Sequence, residues 1–339
     1  MSKAVIAGAF RGVRLPSWTC PCGLASFVAG CTAVMWVVPR RPDSPASDHV
    51  CRRISPAEAG ARRSAMKSGV LGPLSLTSGG HSLLPSAPKT RQLLALFLTR
   101  ANSLVTLDTC VQELWGGSAP RSAVQSVHTR VFQMRQALAA GTPGRTSEES
   151  KRILRTHHRG YLLQVDQGAL DLHGLDGYLA DFRQAQSRRD DAGISSALRS
   201  ALGLWRGQTL LDVRHGTCLQ SYVTGIEALR MTVLEQRIDA ELRLGMHHQL
   251  LFELGALVAR NPLHENLNAQ YMVALYRSGR TADSLEAYHL LHRRLREELG
   301  IEPSPRIRRL QMAVLTESAE LDVAPSERTD LSPALVAGR

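Results

Sequence analysis

The chain has 339 residues, 43% of them hydrophobic and 21% charged, with a formal net charge of +11 at pH 7. That length suits about two domains, and that balance excludes a wholly disordered chain or a coiled coil. The charge is unevenly placed: residues 1–65 are net +6, residues 66–165 hold 12 Lys and Arg against 4 Asp and Glu, net +8, and residues 166–339 are net −3. A basic block ahead of a mildly acidic one calls for a polyanionic partner, nucleic acid first, joined to a second module. Six cysteines without a CxxC pair make no disulfide framework and no zinc site, so reduced thiols and a cytoplasmic setting are expected.

Residues 15–39 carry no charged side chain, and arginines flank them at Arg11, Arg14, Arg40 and Arg41. The run is long enough to span a membrane, and its order also suits a signal peptide. Pro16, Pro21, Gly23 and Gly30 dilute it, and charge at both ends leaves its orientation unset. A domain-like start follows at Met66-Lys67-Ser68-Gly69-Val70. Residues 1–65 are therefore read as a disordered or over-extended N-terminal segment, with a membrane anchor through 15–39 as the alternative.

In the basic block, Val70-Leu71, Leu74-Ser75-Leu76 and Ser82-Leu83-Leu84, parted by Gly79-Gly80, predict small antiparallel strands. Pro88 opens a first helix running to Arg100. Thr106 caps a second that ends at Leu114-Trp115 before Gly116-Gly117. In the third helix Val124, Val127, Val131, Met134 and Leu138 are spaced 3, 4, 3, 4, one apolar stripe. At 100° per residue the opposite face holds Ser122, Gln125, Ser126, Thr129, Phe132, Gln133 and Gln136, with Arg130 and Arg135 on its flanks. No acidic residue lies between Arg121 and Arg135. An ordinary surface helix shares the stripe but usually carries Glu and Lys outside. A face of Gln and Thr edged by Arg suits a DNA groove, where amides meet base edges and guanidiniums meet phosphates.

Residues 142–151 are polar and predict a loop. Ile153 to Thr156 and Tyr161 to Val165 predict a hairpin around His157-His158-Arg159-Gly160. Adjacent strand residues point to opposite faces, so the two histidines make no metal site.

The acidic block is helical in pattern. Ile194, Ala197, Leu198, Ala201, Leu202 and Trp205 form one stripe, and Leu219, Tyr222, Val223, Ile226, Leu229 and Val233 another. The pairs Leu242/Tyr276, Gly245/Gly279, Leu251/Leu285, Leu254/Tyr288 and Leu257/Leu291 are each 34 apart, the tetratricopeptide period, with a Gly ending each first helix. Ser304-Pro305 opens a last helix. The tail, 321–339, reads as disordered.

Helix, helix, helix and basic-tipped hairpin is the order of a winged helix. The stretches Val70-Leu71-Gly72-Pro73-Leu74, Pro88-Lys89-Thr90-Arg91-Gln92-Leu93-Leu94, Glu113-Leu114-Trp115-Gly116, Ser126-Val127-His128-Thr129-Arg130-Val131-Phe132 and Arg159-Gly160-Tyr161-Leu162-Leu163 resemble the OmpR-type winged helix of the Streptomyces antibiotic regulatory protein family. Met134 stands where the family often has Leu, and the polar insert near 141–150 is a second departure. Ala201-Leu202-Gly203-Leu204-Trp205-Arg206-Gly207, Leu275-Tyr276-Arg277-Ser278-Gly279-Arg280 and Glu297-Glu298-Leu299-Gly300-Ile301-Glu302-Pro303 are similar to that family's bacterial transcriptional activation domain. The fold class expected is thus multi-domain: an α+β winged helix over 66–166, then an all-α tetratricopeptide-like domain over 167–320.

The resemblance implies a transcription activator of a secondary-metabolite gene cluster. It would bind direct repeats in double-stranded promoter DNA as a homodimer and contact RNA polymerase. Gln125, Ser126, Thr129, Phe132 and Gln133 are the expected base-facing set. Arg121, Arg130, Arg135, Arg155, His158 and Arg159 are the expected phosphate and wing set. The loop Gly116, Gly117, Ser118, Ala119 and Pro120 is the expected polymerase contact. No Walker A motif, GxSxG or HExxH occurs, so neither catalysis nor a cofactor or metal is expected. A helical-repeat scaffold for peptides and a membrane-tethered regulator are the alternative functions.

Overall fold

A computed structural model describes residues 66–140 and 146–322. The expectations for residues 1–65 and for the tail beyond 322 lie outside the described residues.

The described chain is mostly helical, with two small sheets in its first hundred residues. Strands β1 (Lys67–Gly69), β2 (Ser75–Ser78) and β3 (His81–Ser82) form an antiparallel sheet in sequence order. Ser68 faces Leu76, and Thr77 faces Ser82. Val70 and Leu71, expected in a strand, lie just beyond one. Their backbone N–H groups both donate to the Asp171 carboxylate at 2.8 Å, so they leave the ladder without leaving donors bare.

Helix α1 (Pro88–Thr99), strand β4 (Leu104–Thr106), helix α2 (Leu107–Trp115) and helix α3 (Ala123–Ala140) follow. Pro88 supplies a fixed φ at the first turn of α1, where no N–H is needed. Thr106 ends β4 and also caps α2, its hydroxyl accepting from the Thr109 N–H at 3.2 Å. Strand β4 has only three residues, too few for an alternation to register in the sequence.

The polar stretch expected as a loop holds helix α4 (Ser147–Ile153) instead. A capping box starts it. The Thr146 hydroxyl accepts from the Glu149 N–H at 3.2 Å, and the Glu149 carboxylate accepts from the Thr146 N–H at 3.0 Å. Glu148 and Glu149 sit in its first turn and Lys151 and Arg152 in its last, matching the helix dipole. Strands β5 (Leu154–His157) and β6 (Gly160–Leu163) form the expected hairpin, and β4 completes the sheet in the order β4-β6-β5.

The second half is helical: α5 (Asp171–Arg188), α6 (Asp191–Leu202), α7 (Thr217–Arg243), α8 (His247–Arg260), α9 (Glu265–Arg277) and α10 (Thr281–Arg294). A π-helical turn, Leu295–Leu299, leads to α11 (Pro305–Leu315) and a short 3-10 turn, Ala319–Leu321. Consecutive helices pack as hairpins, α5 on α6, α6 on α7, α8 on α9 and α9 on α10.

The 34-residue period appears in the backbone itself. Gly245 and Gly279 end α7 and α9 with φ of 76° and 75°. The following N–H reaches back five residues in both places, Met246 to the Glu241 carbonyl at 3.0 Å and Arg280 to the Leu275 carbonyl at 2.9 Å. This is one helix-ending motif used twice, and its left-handed residue favours Gly.

The main core is built from α1, α2, α3 and the hairpin, around Phe97, Leu93, Val127 and Val131. It also takes in Leu210, Val213, Leu219 and Val223 from beyond residue 166. The two halves therefore share one core. Polar ties run alongside it. The Leu74 N–H donates to Asp212 at 2.7 Å, Arg91 pairs with Asp212, and the Arg206 N–H donates to the Leu71 carbonyl at 2.8 Å.

Candidate nucleic-acid interface

Helix α3 buries Ala123, Val127, Val131, Met134 and Leu138 against the core. Val124, expected to begin that stripe, is 45% exposed. Both residues precede Val127 by about one turn. Ala123, four residues before it, is the buried one of the two.

The outer face is polar with two apolar points. Gln125, Thr129 and Gln133 are exposed, Ser126 is half-buried, and Phe132 is 60% exposed. The Thr129 hydroxyl donates to the Gln125 carbonyl at 3.1 Å, which occupies its proton within the helix. Gln133 is oriented from α1, its side-chain oxygen accepting from the Thr90 hydroxyl at 3.0 Å. That leaves the amide NH2 of Gln133 as the end facing away from the protein's own donor. Thr90 is an orienting residue that helical periodicity in α3 has no means to reveal.

The expected phosphate and wing residues divide into two groups. Arg121, Arg155, His158 and Arg159 are exposed, the last two at the hairpin tip. The Arg155 Nε donates to the Arg152 carbonyl at 3.1 Å. Arg130 and Arg135 are half-buried. Arg135, expected at a phosphate, is engaged inside the protein. Its Nε and Nη2 donate to the Leu154 carbonyl at 3.0 and 2.6 Å, and Nη2 also reaches the Thr156 hydroxyl at 2.8 Å. The guanidinium thus straps α3 to β5. Burial pulls its pKa below the ordinary guanidinium value, the nearby Tyr161 opposing this, and it stays a cation.

The hairpin is set by close packing. A Cβ on Gly160 would lie 2.0 Å from the Val105 carbonyl oxygen, so only glycine lets β6 approach β4 there. Next to it, Tyr161 is buried edge-on to Phe97, with ring centroids 6.1 Å apart, and to His128 at 6.4 Å. These contacts fix the strand that leads from the tip back into the core.

The loop between α2 and α3 leaves α2 through Gly116, whose φ is 58° and whose N–H donates to the Gln112 carbonyl. Gly117, Ser118, Ala119 and Pro120 are exposed. Beneath the loop, the Lys89 ammonium lies 4.5 Å from the centre of the Trp115 ring. Among the described residues no helix is long and apolar enough to cross a membrane.

Three helices and a basic-tipped hairpin precede an array of helical hairpins, and proteins similar to this chain are regulators of transcription. The profile of the bacterial transcriptional activator domain matches residues 170–315. Regulatory protein DnrI of Streptomyces peucetius is 40% identical over 76% of this chain and 94% of that protein. Transcriptional regulator RedD of Streptomyces coelicolor is 32% identical over 75% of this chain and 71% of its own length. Regulatory protein AfsR of the same species is 34% identical over 85% of this chain, which spans only 27% of AfsR. Among solved structures, Mycobacterium tuberculosis EmbR in complex with a low-affinity phosphopeptide aligns with a TM-score of 0.69 at 28% identity, covering 75% of this chain and 66% of that one. The chain belongs to the Streptomyces antibiotic regulatory protein family of transcriptional activators.

Proposed function

We propose that residues 66–166 are an OmpR-type winged helix that binds promoter DNA, with α3 in the major groove and the hairpin as a wing at the adjacent minor groove. Residues 167–320 are the tetratricopeptide-like activation domain. The observation that carries this reading is the outer face of α3. Gln125, Thr129 and Gln133 offer amide and methyl groups to base edges, Phe132 offers an aromatic edge, and no acid interrupts the run from Arg121 to Arg135. Arg121, Arg130, Arg155 and Arg159 supply cations for phosphates around that face, and His158 a ring nitrogen at the hairpin tip. Arg135 acts indirectly, by holding the wing to the helix.

Two copies side by side on direct repeats would present two α3 helices along one face of the duplex, about one helical turn apart. The exposed loop from Gly116 to Pro120 is then free to meet RNA polymerase in the cytoplasm. The regulated genes are those of a secondary-metabolite cluster, as membership of the antibiotic regulatory protein family suggests. The test is protection mapping on the promoters nearest the protein's own gene. Protection of two direct repeats about one turn apart supports the reading, and protection no stronger than on unrelated DNA contradicts it.

A further inference from the structure

A cleft of about 600 Å3 opens where α6, α7 and α8 meet, a volume typical of small-molecule sites. Its base is apolar, made by Leu202, Met231, Leu234 and Leu257, all half-buried. Four guanidiniums surround that base: Arg199 from α6, Arg230 and Arg237 from α7, and Arg260 from α8. Three carboxylates answer them. Arg199 donates to Glu241 at 2.7 Å, Arg237 to Glu253 at 2.5 Å with Glu241 3.8 Å away, and Arg230 lies 3.6 Å from Glu227.

Three features remain uncompensated, the first being the buried Glu241 Oε2, which has no hydrogen-bond partner among the described residues and lies 3.8 Å from Arg237. Arg260 is exposed and has no ion-pair partner among the described residues. The Arg237 side chain is only 8% exposed, yet its Nε has no hydrogen-bond acceptor. A buried donor left without an acceptor is costly. Each guanidinium also has five N–H donors, of which Arg199 and Arg230 commit few to the protein. The balance, four guanidiniums against Glu227, Glu241 and Glu253, is a single positive charge. It suits one oxyanion.

We infer that this cleft is a binding site for a small anionic amphiphile. Its carboxylate, sulfonate or phosphate group is held by Arg230, Arg237 and Arg260, and its apolar body lies on Leu202, Met231, Leu234 and Leu257.

The test is a fluorescence titration of the full chain with 8-anilinonaphthalene-1-sulfonate, beside the neutral N-phenyl-1-naphthylamine. Saturable binding of one equivalent of the sulfonate is expected, with the neutral analogue and Arg260→Gln each about tenfold weaker, the loss of one charge-assisted hydrogen bond. Arg230→Gln should weaken it similarly. Should that change unfold the protein by circular dichroism, the exposed Arg260 decides alone. Phe252 is 90% exposed on α8 and offers the probe a competing apolar point, so Phe252→Ser should leave binding unchanged. The inference is overturned if binding does not saturate, if Arg260→Gln binds as wild type, if the neutral analogue binds as well, or if Phe252→Ser removes the signal.

Discussion

The carboxylate of Glu113, at the end of α2, accepts a 2.6 Å hydrogen bond from the backbone N–H of Gly216, the residue that caps α7. Its second oxygen accepts from the Cys218 and Leu219 N–H groups at 2.9 and 3.0 Å. One side chain from the first half therefore caps the longest helix of the second, whose N-terminal dipole favours the negative charge. Glu113 is 1% exposed, and Gln92 completes its shell at 2.9 Å. Glu113→Ala should cost about 2–4 kcal/mol, because three backbone donors lose their acceptor in the interior. Glu113→Gln should recover only part, since its NH2 faces N–H groups that need an acceptor. Urea unfolding checks both, and a loss under about 0.5 kcal/mol for Ala, as at an ordinary surface position, would show the cap to be dispensable.

Arg135→Ala should free the hairpin from α3 and lower stability by about 1–2 kcal/mol through loss of its bonds to Leu154 and Thr156. DNA affinity should then fall alike on promoter and random duplexes, with the salt slope nearly unchanged, because the guanidinium is tied to protein. A slope reduced by about one unit would return Arg135 to the phosphates.

Gly279→Val should destabilise the protein by about 1–2 kcal/mol, because a residue with a Cβ resists the left-handed conformation. No atom lies within 4 Å of the position a Cβ would take, so the cost is conformational and not steric. Gly279→Asn, which tolerates that region, should retain most of the stability. Thermal unfolding of the two variants separates conformational strain from crowding, which would penalise both.

Burial, with Cys218 adding to it, pushes the Cys110 thiol up to about 12 from an ordinary value of 9.0. The native state keeps this proton where the unfolded chain loses it. Cys110 therefore costs nothing below pH 9 and opposes folding progressively as pH rises toward about 12. Stability should fall between pH 8 and pH 10.5 by about 2 kcal/mol more in wild type than in Cys110→Ala. Equal pH dependence in the two proteins, by urea midpoint, would show that the thiol ionises freely.

What the sequence makes legible follows range. The Val127, Val131, Met134 and Leu138 part of the α3 stripe, the Pro88 and Thr106 helix starts and the twin Gly245 and Gly279 stops are written within a turn or two of themselves, and these are found in the structure. Helix α4 was just as local, its Thr146 and Glu149 signal hidden in a stretch polar enough to pass for a loop. The start of the α3 stripe was ambiguous because Ala123 and Val124 both fall about one turn from Val127. The roles of Glu113, Arg135 and Thr90 were not legible at all. Their partners lie 103, 19 and 43 residues away, and no periodicity links an arginine on a helix flank to a carbonyl on a strand. The shared core escaped for the same reason, since Leu210 and Leu219 show only that they are apolar, not what they pack against.

The claim on which the functional account rests is that the outer face of α3 reads bases. The measurement is the affinity of Gln125→Ala for a promoter duplex and for a scrambled duplex, each at several salt concentrations, with Thr129→Val as the companion. Gln125→Ala should lose about 1–3 kcal/mol on the promoter and little on the scrambled duplex. Thr129→Val should stay near wild type on both, because its hydroxyl proton is already held by the Gln125 carbonyl and the methyl that meets the groove is kept. Equal loss on both duplexes for Gln125→Ala would contradict the account and move base reading from α3 to the hairpin.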